Sequence, residues 1–290
     1  MLPKLERGKS PGAYFTRLSY TPKWSQMFLL ISDVHFDAMG CNRKLLKKHL
    51  DQAQERDAPV FIFGDTMDLM QGKKDPRGAK HKLRREYMFE DYLGAVCEDT
   101  AKFLAPYADN IQLIAQGNHE LSYKRHHEID PLSIMTTHIK AETGIRPIVA
   151  PYTGWIQFKC QMKTGGRRKT VILKYHHGAG SNSPVTKGAI ASNRSVAMWP
   201  NADVIVRGHI HNRFSMDLPC QKISANGVIH DAQRTYLQTG CYVSDIDDPD
   251  SWSEQKGFGA PGLGGYWLKL YCDTTTDPLD MIKWIAYPTD

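Results

Sequence analysis

The sequence predicts an α/β fold built on two packed β-sheets, and three observations carry that prediction. Five short apolar runs each end in a cluster of polar residues of metal-ligand type. Strand-like and helix-like segments alternate through the first half of the chain, and from residue 150 onward the pattern is mostly strand. The 290 residues, 41% of them apolar, suffice for one sizeable core. A short β-branched or aromatic run bounded by Gly reads as a buried strand, and α/β sheets bind ligands beyond the carboxyl ends of such strands.

Residues 1–26, rich in Pro, Gly, Lys and Ser, read as an extended arm, which leaves 27–290 as a single domain without an internal repeat. FLLI (28–31) is the first core strand. Asn42 suits the cap of a helix over 43–56, where Leu45, Leu46, His49, Leu50 and Ala53 keep a helical rhythm. VFIF (60–63) is the next strand, followed by a Gly- and Lys-rich insertion at 72–85. A helix is expected over 86–104, with Tyr92, Leu93, Val96, Phe103 and Leu104 facing inward. Strand IQLIA (111–115) precedes a helix over 131–142, framed by Pro131 at its start and Gly144 at its end. WIQFKCQM (155–162), a TGGRRK turn and TVILKY (170–175) read as a hairpin. DVIV (203–206) is a further strand, and others are expected near 222–230, 234–239, 265–271 and 281–287.

Composition narrows the function classes. No apolar run approaches the roughly 18 residues that would span a membrane. The first fifteen residues carry charge but no apolar stretch of signal-peptide type, so a cytoplasmic protein is expected. Cys41, Cys97, Cys160, Cys220, Cys241 and Cys272 are scattered, with no C-x-x-C pair, and read as reduced thiols. A net charge of +6 points only weakly to phosphate-bearing partners.

The five polar clusters carry the chemistry. Asp33-Val34-His35 follows the first run, and Gly64-Asp65, with Asp68 three residues on, follows the second. Gly117-Asn118-His119-Glu120, His176-His177-Gly178 and Gly208-His209-Ile210-His211 follow the other three. A D-x-H or H-x-H pair puts two side chains on one side of an extended segment. Taken singly such pairs are common; five, each on its own strand end, bring Asp, Asn and His into one crevice and mark a metal site. Carboxylate, amide and imidazole together suit Mn²⁺, Fe or Zn²⁺ better than Mg²⁺.

In this order the clusters resemble the calcineurin-like metallophosphoesterase superfamily, from about residue 28 to about residue 213, with a texture similar to its bacterial and bacteriophage members. The resemblance implies an αββα sandwich, two packed mixed β-sheets flanked by helices, that carries two divalent metal ions, Mn²⁺ foremost. It implies that Asp33, His35 and His211 bind one metal, that Asp65 bridges, and that Asn118, His209 and a histidine of the 176–177 pair bind the other. Of that pair His177 is favoured, because it precedes Gly178 and shares strand parity with Val171, Leu173 and Tyr175. His119 is implied as the general acid beside the scissile phosphate. The implied reaction is hydrolysis of a phosphomonoester or phosphodiester by metal-bound hydroxide. The competing class is a binding scaffold of the same fold without catalysis.

The remaining candidates read more plainly. Asp68 suits a turn or supports a ligand, and Glu120 orients its neighbours. His126 and His127 lie in a solvated KRHHE run, and Cys41 is packed. His49, His81, His138 and His230 have no motif around them. The segment from Leu69 to Arg85 holds seven Lys or Arg against one Asp. Leaving the Gly-Asp strand, it would overhang the cleft and could guide a nucleic-acid backbone, although residues 72–85 hold no aromatic stacking platform.

Overall fold

The computed structural model describes residues 2–69, 83–88, 90–180, 188–223, 227–244, 261–275 and 281–290. Two mixed β-sheets pack face to face in it, with helices outside. In the six-stranded sheet β3 (Ser25–Ile31), β4 (Val60–Phe63), β5 (Ile111–Ala115) and β6 (Ile148–Ala150) run parallel. β12 (Tyr266–Cys272) lies antiparallel to β3, and β13 (Ile282–Pro288) closes that edge. In the seven-stranded sheet β1 (Glu6–Arg7), β2 (Ala13–Tyr20), β7 (Thr153–Met162), β8 (Arg168–His176), β9 (Val204–Arg207), β11 (Ile229–Gln238) and β10 (Phe214–Ile223) lie side by side in that order.

Helices make the crossovers between parallel strands. α1 (Arg43–Glu55), α2 (Tyr92–Leu104) and α4 (Pro131–Thr143) cover the outer face of the six-stranded sheet, and α5 (Ala189–Met198) lies against the other sheet. β4 shows why a continuous apolar run is needed: all four residues are buried, with Phe61 and Phe63 facing the second sheet and Val60 and Ile62 facing the helices. Each large side chain in that inter-sheet layer contributes about 1.5–3 kcal/mol by leaving water. The caps are local. The Asn42 side chain accepts the Leu45 N–H at 2.9 Å, and Gly144 ends α4 in the left-handed region at φ 76°. Among the described residues no helix is long and apolar enough to cross a membrane.

Several expectations are corrected. Residues 1–26 do not form only an arm: β2 pairs in parallel with β7 along eight residues, and Tyr14, Leu18 and Tyr20 enter the inter-sheet core. The period-2 pattern of AYFTRLSY was hidden by the polar composition around it. The single strand expected at 222–230 is instead the end of β10 and the start of β11, which pair antiparallel at Lys222–His230 and Ile223–Ile229. Asn226-Gly227 is the hairpin signal there, and residues 224–226 lie outside the described set. α2 starts at Tyr92 rather than 86, because Asp91 caps it and a separate 3₁₀ turn occupies Arg85–Tyr87. α3 (Asn118–His127) and α5 were not foreseen; α3 buries only Glu120 and Tyr123, too few to leave an apolar stripe. Of the basic insertion, residues 72–82 lie outside the described residues.

Candidate metal centre

The candidate residues all sit just past strand ends, where parallel strands deliver them to one edge of the sandwich. Asp33 and His35 follow β3, Asp65 follows β4, Asn118 and His119 open α3 after β5, His177 follows β8, and His209 and His211 follow β9. Backbone bonds lock these tips together: Asp33 N–H donates to Gly64 O and His35 N–H to Asp65 O, each at 3.0 Å. The two sheets are tied directly. His209 N–H reaches both Asp33 carboxylate oxygens at 2.9 and 3.0 Å.

Turning the chain so sharply strains it. Asp33, His35, Asp65, His209 and His211 have φ of 53°, 49°, 51°, 76° and 53°, in the left-handed region that ordinarily costs a non-Gly residue about 1–3 kcal/mol. Such strain persists where the surrounding structure dictates it, and functional sites are where it collects. The glycines allow the tips to approach. A Cβ on Gly64 would fall 2.8 Å from the Gly117 Cα and run into the His177 ring, and one on Gly117 would strike the Asp65 carboxylate.

Three overlapping groups result, each with its donor atoms within 4.8 Å of one another: Asp33, His35 and His211; His35, Asp65 and His119; Asp65, His177 and His209. The proton bookkeeping of the imidazoles tests whether a cation fits. His177 places Nδ1 2.8 Å from the Phe63 carbonyl, and His35 places Nδ1 2.8 Å from an Asp68 carboxylate oxygen. His209 places Nε2 3.1 Å from the Gly180 carbonyl. A neutral imidazole has one N–H, and each ring spends it on these outward acceptors. The inward nitrogens are therefore bare. They face His177 Nε2 to Asp65 Oδ2 at 3.0 Å, His209 Nδ1 to Asn118 Oδ1 at 2.8 Å, and His35 Nε2 to His211 Nε2 at 3.2 Å. Lone pairs opposed at such distances need cations or protons between them, so the donor set fits metal.

Without metal, protons take that role. Burial pushes the His177 imidazole down, but Asp65 and Asp33 outweigh it and lift the group to about 9. Burial pushes Asp33 up, and His177 and His211 hold it at about 2. The structure separates the histidine pair. His177 is fully buried with Nε2 also 3.0 Å from Asn118 Oδ1, whereas His176 turns Nδ1 to the Gly178 N–H at 3.0 Å and packs on Tyr152 and Trp199.

A sequence model of calcineurin-like phosphoesterases matches residues 27–213 of the 290. The chain belongs to the calcineurin-like phosphoesterase family. A search of curated protein sequences finds no significant match. Among solved structures, the chain is similar to a predicted phosphoesterase from Streptococcus pneumoniae at 11% identity and TM-score 0.31, covering 91% of this chain and 99% of that one. It is similar to Vps29 from Chaetomium thermophilum at 11% identity and TM-score 0.37, covering 91% and 97%. It is also similar to GAP50, the anchor in the inner membrane complex of Plasmodium, at 12% identity and TM-score 0.41, covering 92% and 85%.

In this member of the family the other singled-out residues take definite places. The Glu120 carboxylate accepts four backbone N–H groups, from Asp65, Thr66, Met67 and Gly117, at 2.7–3.1 Å, and so fixes the β4 tip to the β5 tip. Burial, with Asp65 nearby, raises it to about 7. His119 rests edge-on against His35 with ring centroids 4.7 Å apart, and its Nδ1 bonds to the Asp68 carbonyl. Its Nε2 lies 3.9 Å from Asp65 Oδ2. His126 is exposed and His127 packs on Tyr123, both on α3. Sequence reasoning missed Ser32 and Thr239, whose hydroxyls bond to each other at 2.6 Å while Ser32 donates to Asp33. It also missed Tyr152, whose hydroxyl holds the Gly178 carbonyl beside His177. Neither lies in a motif, and only the folded chain reveals them.

Proposed function

We propose that this calcineurin-like phosphoesterase hydrolyses a phosphomonoester or phosphodiester at a two-metal centre. One observation carries the reading: the three donor groups overlap at His35 and Asp65, as expected of two cations that share a bridging carboxylate. Asp33, His35 and His211 would hold one cation, Asn118, His177 and His209 the other, and Asp65 both. The pair supplies Lewis acidity toward the phosphoryl oxygens and acidifies a water. The chain does the rest. Asn118 adds a neutral donor, which leaves the centre more electrophilic than a third carboxylate would. His119, partly exposed at 14% of its side-chain surface, can present Nε2 to the departing oxygen and protonate it. That pose of His119 supports catalysis over the competing scaffold reading. The nuclease version rests on the basic run at 72–85, most of which lies outside the described residues, and goes no further than the sequence.

The test is a p-nitrophenyl phosphodiester assay on protein stripped of metal and reloaded. Hydrolysis is expected to vanish with chelator and to return best with Mn²⁺, at two metals per chain by elemental analysis. Undiminished turnover by verified metal-free protein would overturn the reading.

A further inference from the structure

Asp37 is fully buried, lies outside the donor groups, and spends two of its carboxylate's three bonds on one short segment. Its Oδ1 accepts the Asp68 N–H at 2.6 Å and its Oδ2 the Leu69 N–H at 3.1 Å, and the Tyr92 hydroxyl donates to Oδ2 as well. Removing a carboxylate from water costs several kcal/mol unless such bonds compensate, so an apolar residue would fill the space more cheaply if packing were its whole purpose. The segment it grips is unusual in two ways. Leu69 is held at φ 53°, a strained setting for a bulky residue. Asp68 meets two site histidines at once: its Oδ1 lies 2.8 Å from His35 Nδ1 and 3.4 Å from His119 Nδ1, and its carbonyl accepts from His119 Nδ1.

We propose that Asp37 is a positioning residue for the reaction, fixing the backbone at 68–69 so that Asp68 holds the Nδ1 atoms of His35 and His119 and keeps both Nε2 atoms aimed into the site. The chain of contacts is short, and each link is a hydrogen bond. If the grip on 68–69 loosens, the carboxylate under His35 and the carbonyl under His119 move together. Asn in place of Asp37 keeps the shape but brings an NH₂ against a backbone N–H or the Tyr92 hydroxyl, so one acceptor is lost. The segment's return is anchored to the same place, since Arg84 bonds the carbonyls of Ala38 and Cys41.

This inference rests on the phosphoesterase reading of His119, and the experiment keeps the two apart. Asp37→Asn and Tyr92→Phe are made in the full chain, checked for folding by thermal melting and for metal by elemental analysis. Each is assayed on an aryl phosphodiester, whose leaving group needs little protonation, and on an alkyl one, which needs it. In Asp37→Asn kcat is expected to fall about 10–100-fold with KM nearly unchanged and two metals retained, as for other residues that orient metal-site histidines. The loss should be larger on the alkyl substrate, and Tyr92→Phe should show the same preference with a smaller drop. Separately, ¹⁵N-histidine spectra of the zinc-loaded protein should show protected Nδ1–H protons on His35 and His119 that Asp37→Asn exposes to exchange. Equal losses on both substrates, loss of metal, or unchanged Nδ1–H protection would overturn the proposal. A wild-type chain that turns over neither substrate would refute the phosphoesterase reading, while the spectra still decide whether Asp37 orients the two rings.

Discussion

The two sheets contribute unlike halves to one site. The six-stranded sheet delivers both buried carboxylates, the amide, His35 and His119, and both donors that appear in two of the three groups, His35 and Asp65, sit on its tips. The seven-stranded sheet delivers imidazoles alone, His177, His209 and His211, and each of those appears in one group only. Burial follows the same division in part: Asp33, His35 and Asp65 are buried, whereas His209 and His211 are half-buried and His211 exposes 34% of its side chain. The parallel centre of the first sheet thus offers the shared donors, and the second sheet adds the buried His177 and the more accessible His209 and His211, each in one group only.

Substitution of a shared donor should break that comparison hardest. Asp65→Asn is expected to release both metals and to reduce turnover by more than about 10²-fold, the scale set by losing metal-ion catalysis. His211→Ala should release one metal and keep the other, and His177→Ala should do the same at the opposite position. Metal content by elemental analysis, with the chain shown to be folded, distinguishes the cases. If His211→Ala empties both positions, the division into shared and private donors fails.

His119→Ala follows in size. It removes a ring that shares a donor group but spends Nδ1 on the Asp68 carbonyl, so turnover should fall at least about 10²-fold with both metals retained. Loss of a metal would move His119 from proton donor to ligand.

How much of this was legible beforehand differs by region. The strands of the six-stranded sheet that carry the site, β3, β4 and β5, were readable because a strand buried on both faces is a mostly apolar run, here ending at Gly or a polar residue. In the other sheet β10 and the first six residues of β11 alternate half-buried and exposed positions, so their apolar content is diluted and two strand ends were read as one strand over 222–230. β2 was lost because its alternation of buried with open positions lies within a polar, Pro- and Gly-rich stretch. The donors themselves were readable as motifs because each sits within four residues of a strand end. Asp37 follows Asp33 and His35 at the same spacing in D-x-H-x-D, which was a signal, but its partners Asp68, Leu69 and Tyr92 are 31 to 55 residues away and only folding unites them.

A gentler effect concerns pH in the metal-free protein. The His177 imidazole, at about 9 in the fold against 6.5 unperturbed, contributes stability that is complete below 6.5 and lost as pH rises through 9. Glu120, raised to about 7 from 4.5, has the same sign, since its ionised form is disfavoured in the fold and its contribution is lost as pH rises through 7. Chelated protein should therefore melt at progressively lower temperature from pH 6 to pH 9, by roughly 2–4 °C for each kcal/mol lost. Metal replaces the inward protons, so loaded protein should show a shallower slope. A flat profile for the chelated protein would mean that protons do not occupy the gaps between the two sheets' donors.

The smallest effect is expected at His176, one residue from a proposed ligand and on the same strand end. Burial, reinforced by Arg207 and Lys174, holds its imidazole down at about 4, so it is neutral at ordinary pH. Its Nδ1 accepts the Gly178 N–H, and its ring lies 5.3 Å from Tyr152 and 5.7 Å from Trp199, contacts that serve the loop rather than the cation. His176→Ala should keep two metals, change kcat by less than about threefold, and cost about 0.5–1.5 kcal/mol for the lost ring contacts beyond the buried area itself. Strand alternation is the reason: neighbouring residues at a strand end point to opposite faces, so only one of the pair can meet Asp65 while the other lies against Trp199. Metal analysis of His176→Ala beside His177→Ala decides the point, because a metal lost from the first and kept in the second would reverse which face of β8 looks into the site.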